Sequence, residues 1–243
     1  MGRNNLIINL EGVSFSYSAG KPVIDNLSFH LHPGDRIGLV GPNGSGKTTL
    51  FHIILGLLKP YSGTVKLFGR HAKEEKDFRE ARKRIGLLFQ DPDDQLFSPT
   101  VLEDVAFGPL NLGKSPEEAK DIALNTLARL DLSGFKDRIT YKLSGGEKRL
   151  VSLATVFAMD PEVLLLDEPT NGLDEETEKK ITNILKKLEL SYIFISHNFD
   201  FLSKTTNRIY AMSKGKISSD EAMVPHSHIH IHKSGKIPHK HKS

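Results

Sequence analysis

Cysteine is absent from the 243-residue chain, and long apolar runs are absent as well. The lack of cysteine excludes a disulfide scaffold and any metal site built on thiolates. No stretch of 18 apolar residues occurs and no signal-peptide pattern opens the chain, so we expect a protein that does not span a membrane by itself. The length suits one large domain with a sizeable core.

A large excess of one charge sign is also missing from most of the chain. The formal net charge is +3, but residues 226–243 hold four lysines and no acidic residue. Subtracting those four charges leaves −1 for the remainder, which argues against a general polyanion binder. We therefore expect no nucleic-acid partner.

The most informative segment that is present runs over 41–48 and reads GPNGSGKT. It satisfies G-x-x-x-x-G-K-[ST], the phosphate-binding loop of nucleoside triphosphatases, and lies between a strand-like apolar run and a helical apolar pattern. The glycines let backbone N–H groups turn toward phosphate oxygens, and the helix start adds a positive dipole end. Lys47 would reach the β- and γ-phosphates, and Thr48 would ligate Mg²⁺. The predicted nucleotide-binding residues of this segment are Gly41, Pro42, Asn43, Gly44, Ser45, Gly46, Lys47, Thr48 and Thr49.

A second glycine-containing segment, 143–149, reads LSGGEKR and opens another apolar helical run. It resembles the LSGGQ signature of ATP-binding-cassette (ABC) proteins, with Glu147 where glutamine is commoner. The resemblance implies that Ser144, Gly145, Gly146 and Glu147 serve the ATP held by an opposite subunit. Ser144 with Glu147 three residues later is also a capping-box pattern, and both interpretations can hold together.

Two more segments resemble ABC motifs in the family's order. The apolar run 163–167 is typical of a buried parallel strand, and it ends in Asp167 followed by Glu168. The resemblance implies that Asp167, with Thr48 and Gln90, holds Mg²⁺, and that Glu168 polarises the attacking water. Gln90, after another strand-like run, resembles the Q-loop glutamine that senses the nucleotide.

Three further positions resemble ABC site residues. His197 ends an apolar run and resembles the switch histidine that contacts the γ-phosphate and the attacking water. Tyr17 resembles the aromatic that stacks on adenine, although an aromatic there can equally belong to the core. Asp174 closes Asn-Gly-Leu-Asp, 171–174, which resembles the D-loop at the dimer seam, where the family more often has Ser-Ala first.

The ABC resemblance implies an α/β fold: a P-loop NTPase (RecA-like) core, an antiparallel β subdomain and a helical subdomain that bears the signature. Residues 1–222 would form the ATP-binding domain, with a helical insert over about 91–150, and 223–243 a disordered His/Lys-rich tail. Expected strands of the antiparallel sheet lie near 6–10, 13–17 and 27–31. Expected core strands lie near 36–40, 85–89, 163–167, 192–196 and 208–212. Expected helices cover roughly 47–57, 145–158 and 175–188.

The stretch 89–113 is close to the form found in energy-coupling-factor ATPases, which power prokaryotic vitamin and cobalt/nickel importers. It contains DPDDQLF at 91–97 and TVLEDVAFGP at 100–109. We interpret Leu96, Phe97 and Val101 as exposed apolar residues that form a groove for a helix of a membrane partner. The alternative is an ordinary surface loop packed on its own insert.

Alternating histidines mark the end of the chain. His226, His228, His230 and His232 would project to one side of an extended segment, and imidazole suits Ni²⁺, Co²⁺, Cu²⁺ and Zn²⁺. A solvated end without function and a purification tag are the alternatives. Together with the subfamily resemblance, the histidines favour a cobalt or nickel importer over a vitamin importer.

The resemblance therefore implies a Mg²⁺-dependent ATPase, with ATP as its substrate, on the cytoplasmic face of a prokaryotic membrane. Two subunits, as a homodimer or a heterodimer, would sandwich two ATP molecules, and a membrane-embedded coupling subunit would form the transport path. The alternatives are the same ATPase in a vitamin importer and a soluble ABC ATPase of DNA repair or translation. The soluble kind usually carries a long coiled-coil insert or two cassettes, and the sequence shows neither.

Overall fold

The structure, a computed structural model, describes residues 6–18 and 20–218. The predicted histidine tail, with His226, His228, His230 and His232, lies outside the described residues, as does the predicted domain boundary at 222. In chain order the elements are β1 (Ile8–Phe15), β2 (Ile24–Leu31), β3 (Arg36–Val40), α1 (Lys47–Ile54), β4 (Ser62–Leu67), β5 (Arg70–His71), α2 (Glu75–Arg82), β6 (Ile85–Leu88), α3 (Val101–Asn111), α4 (Pro116–Arg129), α5 (Gly145–Phe157), β7 (Val163–Asp167), α6 (Glu175–Lys186), β8 (Ser191–Ile195), α7 (Phe199–Thr205), β9 (Arg208–Ser213) and β10 (Lys216–Ile217).

An antiparallel sheet contains four strands in the order β2-β1-β4-β5. The two strands predicted near 6–10 and 13–17 were wrong as separate elements, because β1 is one strand with a register shift between Leu10 and Val13. Gly12 lies at this shift with a φ of +60°, a left-handed conformation that suits glycine. The break between the two apolar runs is therefore a bulge within one strand.

A second sheet contains six strands in the order β10-β9-β3-β8-β7-β6. All neighbours are parallel except β10, which pairs antiparallel with β9. Every residue of β7 and β8 is buried, as expected of central parallel strands. This sheet confirms the five predicted core strands and adds β10. Since the strands are parallel, the loops that follow β3, β6, β7 and β8 meet at one edge.

The predicted helices 145–158 and 175–188 agree with α5 and α6 to within two residues. The first predicted helix, 47–57, was too long, because α1 ends at Ile54. Gly56 follows with a φ of +70°, and a Cβ there would lie 2.2 Å from the ring of Phe78. A left-handed glycine in such close contact ends the helix and packs it against α2.

The region between Gln90 and Ser144 is mostly helical, as predicted, and consists of α3, α4 and three short 3₁₀ turns with connecting loops. Pro116 begins α4 after the N-cap Ser115, and Ala119, Ala123 and Leu127 are fully buried. α3 packs against α4 and α5, so these three helices form the helical part of the fold. The bounds 91–150 of the insert remain a prediction.

The predicted exposure of Leu96 and Val101 was wrong. Leu96 is 7% exposed and Val101 is fully buried, and both join the core between the helices and the six-stranded sheet. Phe97 agrees with the prediction, with 65% of its surface exposed, and its ring meets the edge of Phe107 at 4.7 Å between centroids. The exposed apolar patch is therefore Phe97, Phe107 and Leu110, and we call it the aromatic patch.

Candidate functional site

A cleft of about 490 Å³ opens at the carboxyl edge of the six-stranded sheet. It gathers predicted site residues from the carboxyl ends of five different strands, β1, β3, β6, β7 and β8. The lining residues are Tyr17, Val23, Asn43, Gly44, Gly46, Lys47, Thr48, Thr49, Gln90, Asp167, Glu168, Ile195 and His197. Gly41, Pro42 and Ser45 belong to the same loop but do not line the cleft. Val23 and Ile195 belong to no motif, so sequence reasoning did not find them.

The phosphate loop is shaped by close contact with β9. Gly41 has a φ of +154°, and a Cβ there would lie 2.1 Å from the carbonyl oxygen of Met212. The amide of Gly215 donates to the carbonyl of Ser45 at 3.1 Å and holds the loop from the same side. Only glycine fits at position 41, because the backbone of β9 occupies the space that a side chain would need.

Lys47 lies inside the loop rather than in solvent. Its ammonium donates to the carbonyl oxygens of Gly41 at 2.7 Å and Pro42 at 3.2 Å. Burial lowers the pKa of Lys47, while the nearby Glu168 and Asp167 act in the opposite direction. The ammonium is thus held where a triphosphate would lie along the loop.

Thr48 and Asp167 are joined across the cleft. The hydroxyl of Thr48 donates to Oδ2 of Asp167 at 2.7 Å. Burial raises the pKa of Asp167, and the hydrogen bond from Thr48 and the charge of Lys47 oppose that rise. The hydroxyl, the carboxylate and the amide of Gln90 are oxygen ligands of the kind that Mg²⁺ uses.

The described residues contain no cluster of three or more acidic or histidine side chains able to hold a metal alone. A protein site with one carboxylate and one hydroxyl suits Mg²⁺ that also binds phosphate oxygens and water. The residues present therefore fit a Mg²⁺ that arrives with a nucleotide.

Glu168 follows β7 in a strained conformation. Its φ is +46°, which is unusual for a residue with a side chain, and its amide donates to the carbonyl of Ile195 at 2.9 Å. Its Oε1 lies 3.4 Å from Nε2 of His197. Burial raises the pKa of Glu168, His197 opposes this, and Asp167 adds to it. A carboxylate with a raised pKa in a partly desolvated cleft is chemically suited to accept a proton.

Tyr17 lies just beyond β1, at the rim of the cleft. Its hydroxyl lies 3.1 Å from Oγ1 of Thr49, and its ring meets the edge of Phe15 at 5.0 Å between centroids. The ring is 64% exposed. The geometry favours a stacking platform over the core interpretation, because the ring is fixed at its hydroxyl and open at its face.

The signature segment shows the predicted capping box. Ser144 is the N-cap of α5, its hydroxyl accepts from the amide of Glu147 at 3.3 Å, and Oε2 of Glu147 accepts from the amide of Ser144 at 2.8 Å. No atom lies within 4 Å of where a Cβ on Gly145 would be, so the backbone there is open. Gly146 instead packs against Thr177, which lies in α6.

Gly145 lines a second cleft, of about 500 Å³, with Gln90, Asn171 and Gly172. None of the four signature residues lines the first cleft. Asp174 lines neither cleft, and its carboxylate caps α6 by accepting from the amide of Thr177 at 2.9 Å. A single chain therefore keeps its signature outside its own phosphate-loop cleft.

Arg149 was not found from the sequence. It is only 3% exposed, and its guanidinium, on α5, donates to the carbonyl of Phe89 at 2.6 Å and to that of Gln90. Burial lowers the pKa of Arg149, and Asp91 opposes the change. The signature helix and the Gln90 loop are thus tied together by one buried side chain.

The sequence model of the ABC transporter family matches residues 24–171. The chain belongs to this family. The matched range contains the phosphate loop, the signature and the acidic strand end described above. The chain is accordingly an ABC ATPase, the ATP-binding subunit of an ABC transporter. No helix among the described residues is long and apolar enough to cross a bilayer.

Relatives match over nearly the whole chain. A putative ABC transporter ATP-binding protein of Nitratidesulfovibrio vulgaris is 48% identical over 98% of this chain and 88% of its own length. The energy-coupling factor transporter ATP-binding protein EcfA of Methanothermobacter thermautotrophicus is 40% identical over 88% of this chain and 70% of its own length. The resemblance to energy-coupling-factor ATPases is thereby confirmed.

Solved structures confirm the α/β fold. CbiO1 of Clostridium perfringens, described as part of the ABC transporter complex CbiONQ, has a TM-score of 0.78 and 34% identity, covering 88% of this chain and 87% of that one. The ATP-binding cassette MJ0796, solved as a dimer bound to ADP and phosphate, has a TM-score of 0.80 and 27% identity, covering 91% of this chain and all of that one. ABC ATPases of this fold thus form dimers and belong to multi-subunit complexes.

Proposed function

We propose that the chain is the ATP-hydrolysing subunit of an energy-coupling-factor type importer, bound to the cytoplasmic face of a prokaryotic membrane. The similarity to EcfA over 88% of the chain carries this proposal. The exposed aromatic patch on and beside α3 supports it, because Phe97 and Phe107 offer a membrane partner two large rings that the chain itself leaves uncovered.

The cleft supports a division of labour in ATP hydrolysis. Tyr17 stacks on the adenine, the amides of the phosphate loop receive the phosphates, and Lys47 turns from its carbonyl partners to the β- and γ-phosphates. Thr48, Asp167 and Gln90 would hold Mg²⁺, which would offset negative charge on the phosphates. These residues position the triphosphate in line with the attacking water.

Glu168 and His197 line the same cleft and would face the γ-phosphate. The Glu168 carboxylate orients the water and accepts its proton, and its raised pKa makes it a better acceptor than an ordinary surface carboxylate. His197, 3.4 Å from Glu168, donates to the γ-phosphate and keeps the carboxylate directed at the water. Both act on charge that develops during the reaction.

Two chains complete the sites. The open backbone at Gly145 and the hydroxyl of Ser144 lie outside the cleft of their own chain, so they serve the phosphate of the opposite subunit. The D-loop residue Asp174 lies at the start of α6 and positions the loop 171–174 at the seam. The dimer is a homodimer or a heterodimer with a related ATPase.

For the transported substrate we propose a cobalt or nickel ion. Alternating histidines at 226, 228, 230 and 232 supply imidazoles for such ions, without the carboxylates that Mg²⁺ or Ca²⁺ would require. The tail collects metal beside the membrane subunits, which form the transport path. Its affinity should fall below about pH 6.5, because protonated imidazole does not bind metal.

Uptake by whole cells tests the importer and its substrate. Cells with the wild-type chain should accumulate radioactive cobalt or nickel, and cells with Lys47→Ala should not, since the variant lacks the cation at the phosphates. Vitamin uptake lost in the Lys47→Ala cells, with metal uptake unchanged, would replace the ion by a vitamin. No loss of any uptake would contradict the importer assignment itself.

Calorimetry tests the tail separately. The full chain should bind Ni²⁺ or Co²⁺ more strongly than a chain that ends at Pro225, while the two hydrolyse ATP equally. Equal metal binding by both would remove the tail from metal collection.

A further inference from the structure

The carboxylate of Glu147 is held by a charged partner at the start of the signature helix. Nη1 and Nη2 of Arg138 donate to its two oxygens at 2.7 Å and 3.3 Å, in a bidentate pair. Oε2 of the same carboxylate also accepts from the amide of Ser144. The pair is partly exposed, so it stands at the surface that carries the signature rather than in the core.

A carboxylate in the signature segment should repel the negatively charged phosphate that this segment is proposed to bind. The γ-phosphate of ATP is strongly negative, and it must approach Ser144 and Gly145, which precede Glu147 by three and two residues. The bonds from Arg138 and Ser144 hold the pKa of Glu147 at about 2, so the carboxylate stays ionised in the physiological range. Protonation therefore cannot remove the charge, and another group has to offset it.

We propose that Arg138 is a positioning residue of the ATP site formed between two subunits. Its guanidinium neutralises Glu147 and holds the carboxylate back against the Ser144 amide, so that the end of α5 accepts a phosphate rather than repelling it. This inference rests on the proposed role of the signature across the dimer.

Arg138 is held in place independently of Glu147. Its amide donates to the carbonyl of Phe135 at 2.9 Å, and its carbonyl accepts from the amide of Val101 at 3.1 Å. The guanidinium lies over the ring of Phe135, 4.5 Å from its centroid. The side chain is therefore preorganised before a phosphate arrives, and its backbone is bonded to the first residue of α3.

The test is a double-mutant cycle on ATP-dependent dimer formation by the full chain. All proteins carry Glu168→Gln, which slows hydrolysis and lets the dimer accumulate. Arg138→Gln should raise the ATP concentration for half-maximal dimer formation about tenfold, because an uncompensated carboxylate then faces the phosphate. In the Glu147→Gln background the same Arg138→Gln change should cost less than about twofold.

A matched ion pair provides the control. Arg84 binds Glu162 in the same bidentate way, at 2.6 Å and 2.7 Å, and its guanidinium also lies over an aromatic ring, that of Phe68. Arg84 precedes β6, at the amino edge of the sheet and away from the nucleotide cleft. Arg84→Gln should leave ATP-dependent dimer formation unchanged.

Two further measurements distinguish loss of the Arg138 charge from loss of its packing as the cause of the defect. Nucleotide binding by the monomer should be the same with and without Arg138→Gln, since the monomer's own cleft lacks the signature. The defect of Arg138→Gln should shrink as KCl is raised, because salt screens a partly exposed charge. A packing defect would respond to neither Glu147→Gln nor salt.

Three outcomes would overturn the inference. Arg138→Gln without effect would show that Glu147 needs no partner, and an equal cost of Arg138→Gln in both backgrounds would reduce Arg138 to a structural residue. A defect in monomer binding would place its action within one chain. Failure of the reference protein to dimerise with ATP would instead contradict the proposed function, and the inference with it.

Discussion

At the scale of single residues, the conformation and burial of Glu168 lower the stability of the fold but suit ATP hydrolysis. Its backbone is strained at a φ of +46°, and its carboxylate is desolvated beside a second acid, Asp167. Neither feature helps the empty protein to stay folded. Both place a basic carboxylate next to His197 at the wall of the cleft, which is where the proposed hydrolysis needs it.

Glu168→Gln should reduce ATP hydrolysis at least about 100-fold, because an amide cannot accept the proton of the attacking water. ATP should still bind, and the dimer should accumulate with Mg²⁺-ATP. Phosphate release and size-exclusion chromatography measure the two effects. Glu162→Gln, just before the other end of β7, is the control and should hydrolyse ATP at the wild-type rate. A normal rate in Glu168→Gln would remove Glu168 from its role.

The same substitution should stabilise the empty protein in a pH-dependent way. The pKa of Glu168 is raised above its ordinary value of 4.5 in the folded state, so the folded state binds the proton more tightly and stability falls as pH rises above that value. Glu168→Gln removes this loss. Its melting temperature should exceed that of wild type by about 2–4 °C at pH 8, and the difference should vanish toward pH 4. If the wild-type protein were more stable than Glu168→Gln at pH 8, the argument from burial of Glu168 would be contradicted.

Motif spacing predicted most residues that line the cleft, but not Arg149, whose hydrogen bonds fix the position of the Gln90 loop. Tyr17, Lys47, Gln90, Glu168 and His197 lie together as expected. The last four follow strands of the six-stranded sheet, and Tyr17 reaches the cleft from the end of β1 in the antiparallel sheet. The roles of all five remain predictions. Arg149 escaped notice because its partner Gln90 is 59 residues away in the chain. A buried arginine has no sequence pattern of its own when both of its acceptors are backbone carbonyls.

At the scale of elements, strongly apolar segments were predictable and polar or short ones were not. β7 and β8 are continuous apolar runs, and both were expected within a residue of their bounds. α2 was missed because it buries only Phe78 and Ala81. The sequence pattern that could have predicted α2 is one of charge: acidic residues in the first turn, arginines in the last turn and a capping box formed by Glu74 and Asp77.

The loop before α3 shows why neighbouring residues must be tested separately. Leu96 is in the core and Phe97 on the surface, so Leu96→Ala should cost about 2–4 kcal/mol of stability. Phe97→Ser with Phe107→Ser should instead cost little stability and weaken assembly with the membrane subunit at least about tenfold. Pull-down from detergent and thermal unfolding measure the two effects.

Phe199→Ser is the matched control for the aromatic patch, since Phe199 is also a largely exposed phenylalanine but begins α7. It should assemble normally. A large fall in melting temperature for the Phe97 and Phe107 double variant would show that the patch belongs to the fold rather than to a partner.

At the scale of the whole molecule, the phosphate loop and the signature segment of one chain line two different clefts. The phosphate loop lines one and Gly145 the other, and among residues 6–18 and 20–218 only Gln90 lines both. The LSGGE motif predicted a role across a dimer through its resemblance to ABC signatures. The separation of the clefts within one chain could not be predicted from spacing, because it depends on how α3, α4 and α5 pack against the six-stranded sheet.

Mixing two inactive variants tests the shared sites. Lys47→Ala should weaken nucleotide binding in its own cleft, and Ser144→Arg should block the contact with the phosphate of the partner without unfolding the chain. In a homodimer, each mixed dimer retains one site with an intact loop and an intact signature. Mixing should therefore restore up to about a quarter of wild-type hydrolysis, from random pairing of equal amounts.

Each variant alone is the control and should stay inactive at the same total concentration. Monomer nucleotide binding by Ser144→Arg should equal that of wild type. No recovery on mixing would mean either that the sites are not shared or that both must act together, and a single-turnover measurement with the mixture would separate these two.

The ammonium of Lys47, bonded to the carbonyls of Gly41 and Pro42, makes nucleotide binding an exchange rather than an addition. A phosphate must replace two acceptors that the lysine already has, so the observed affinity reports the difference between two occupied states. Backbone carbonyls cannot be removed by substitution, and any change at Lys47 leaves them needing water. Release of product is correspondingly assisted, because the loop contains its own substitute for the departing anion.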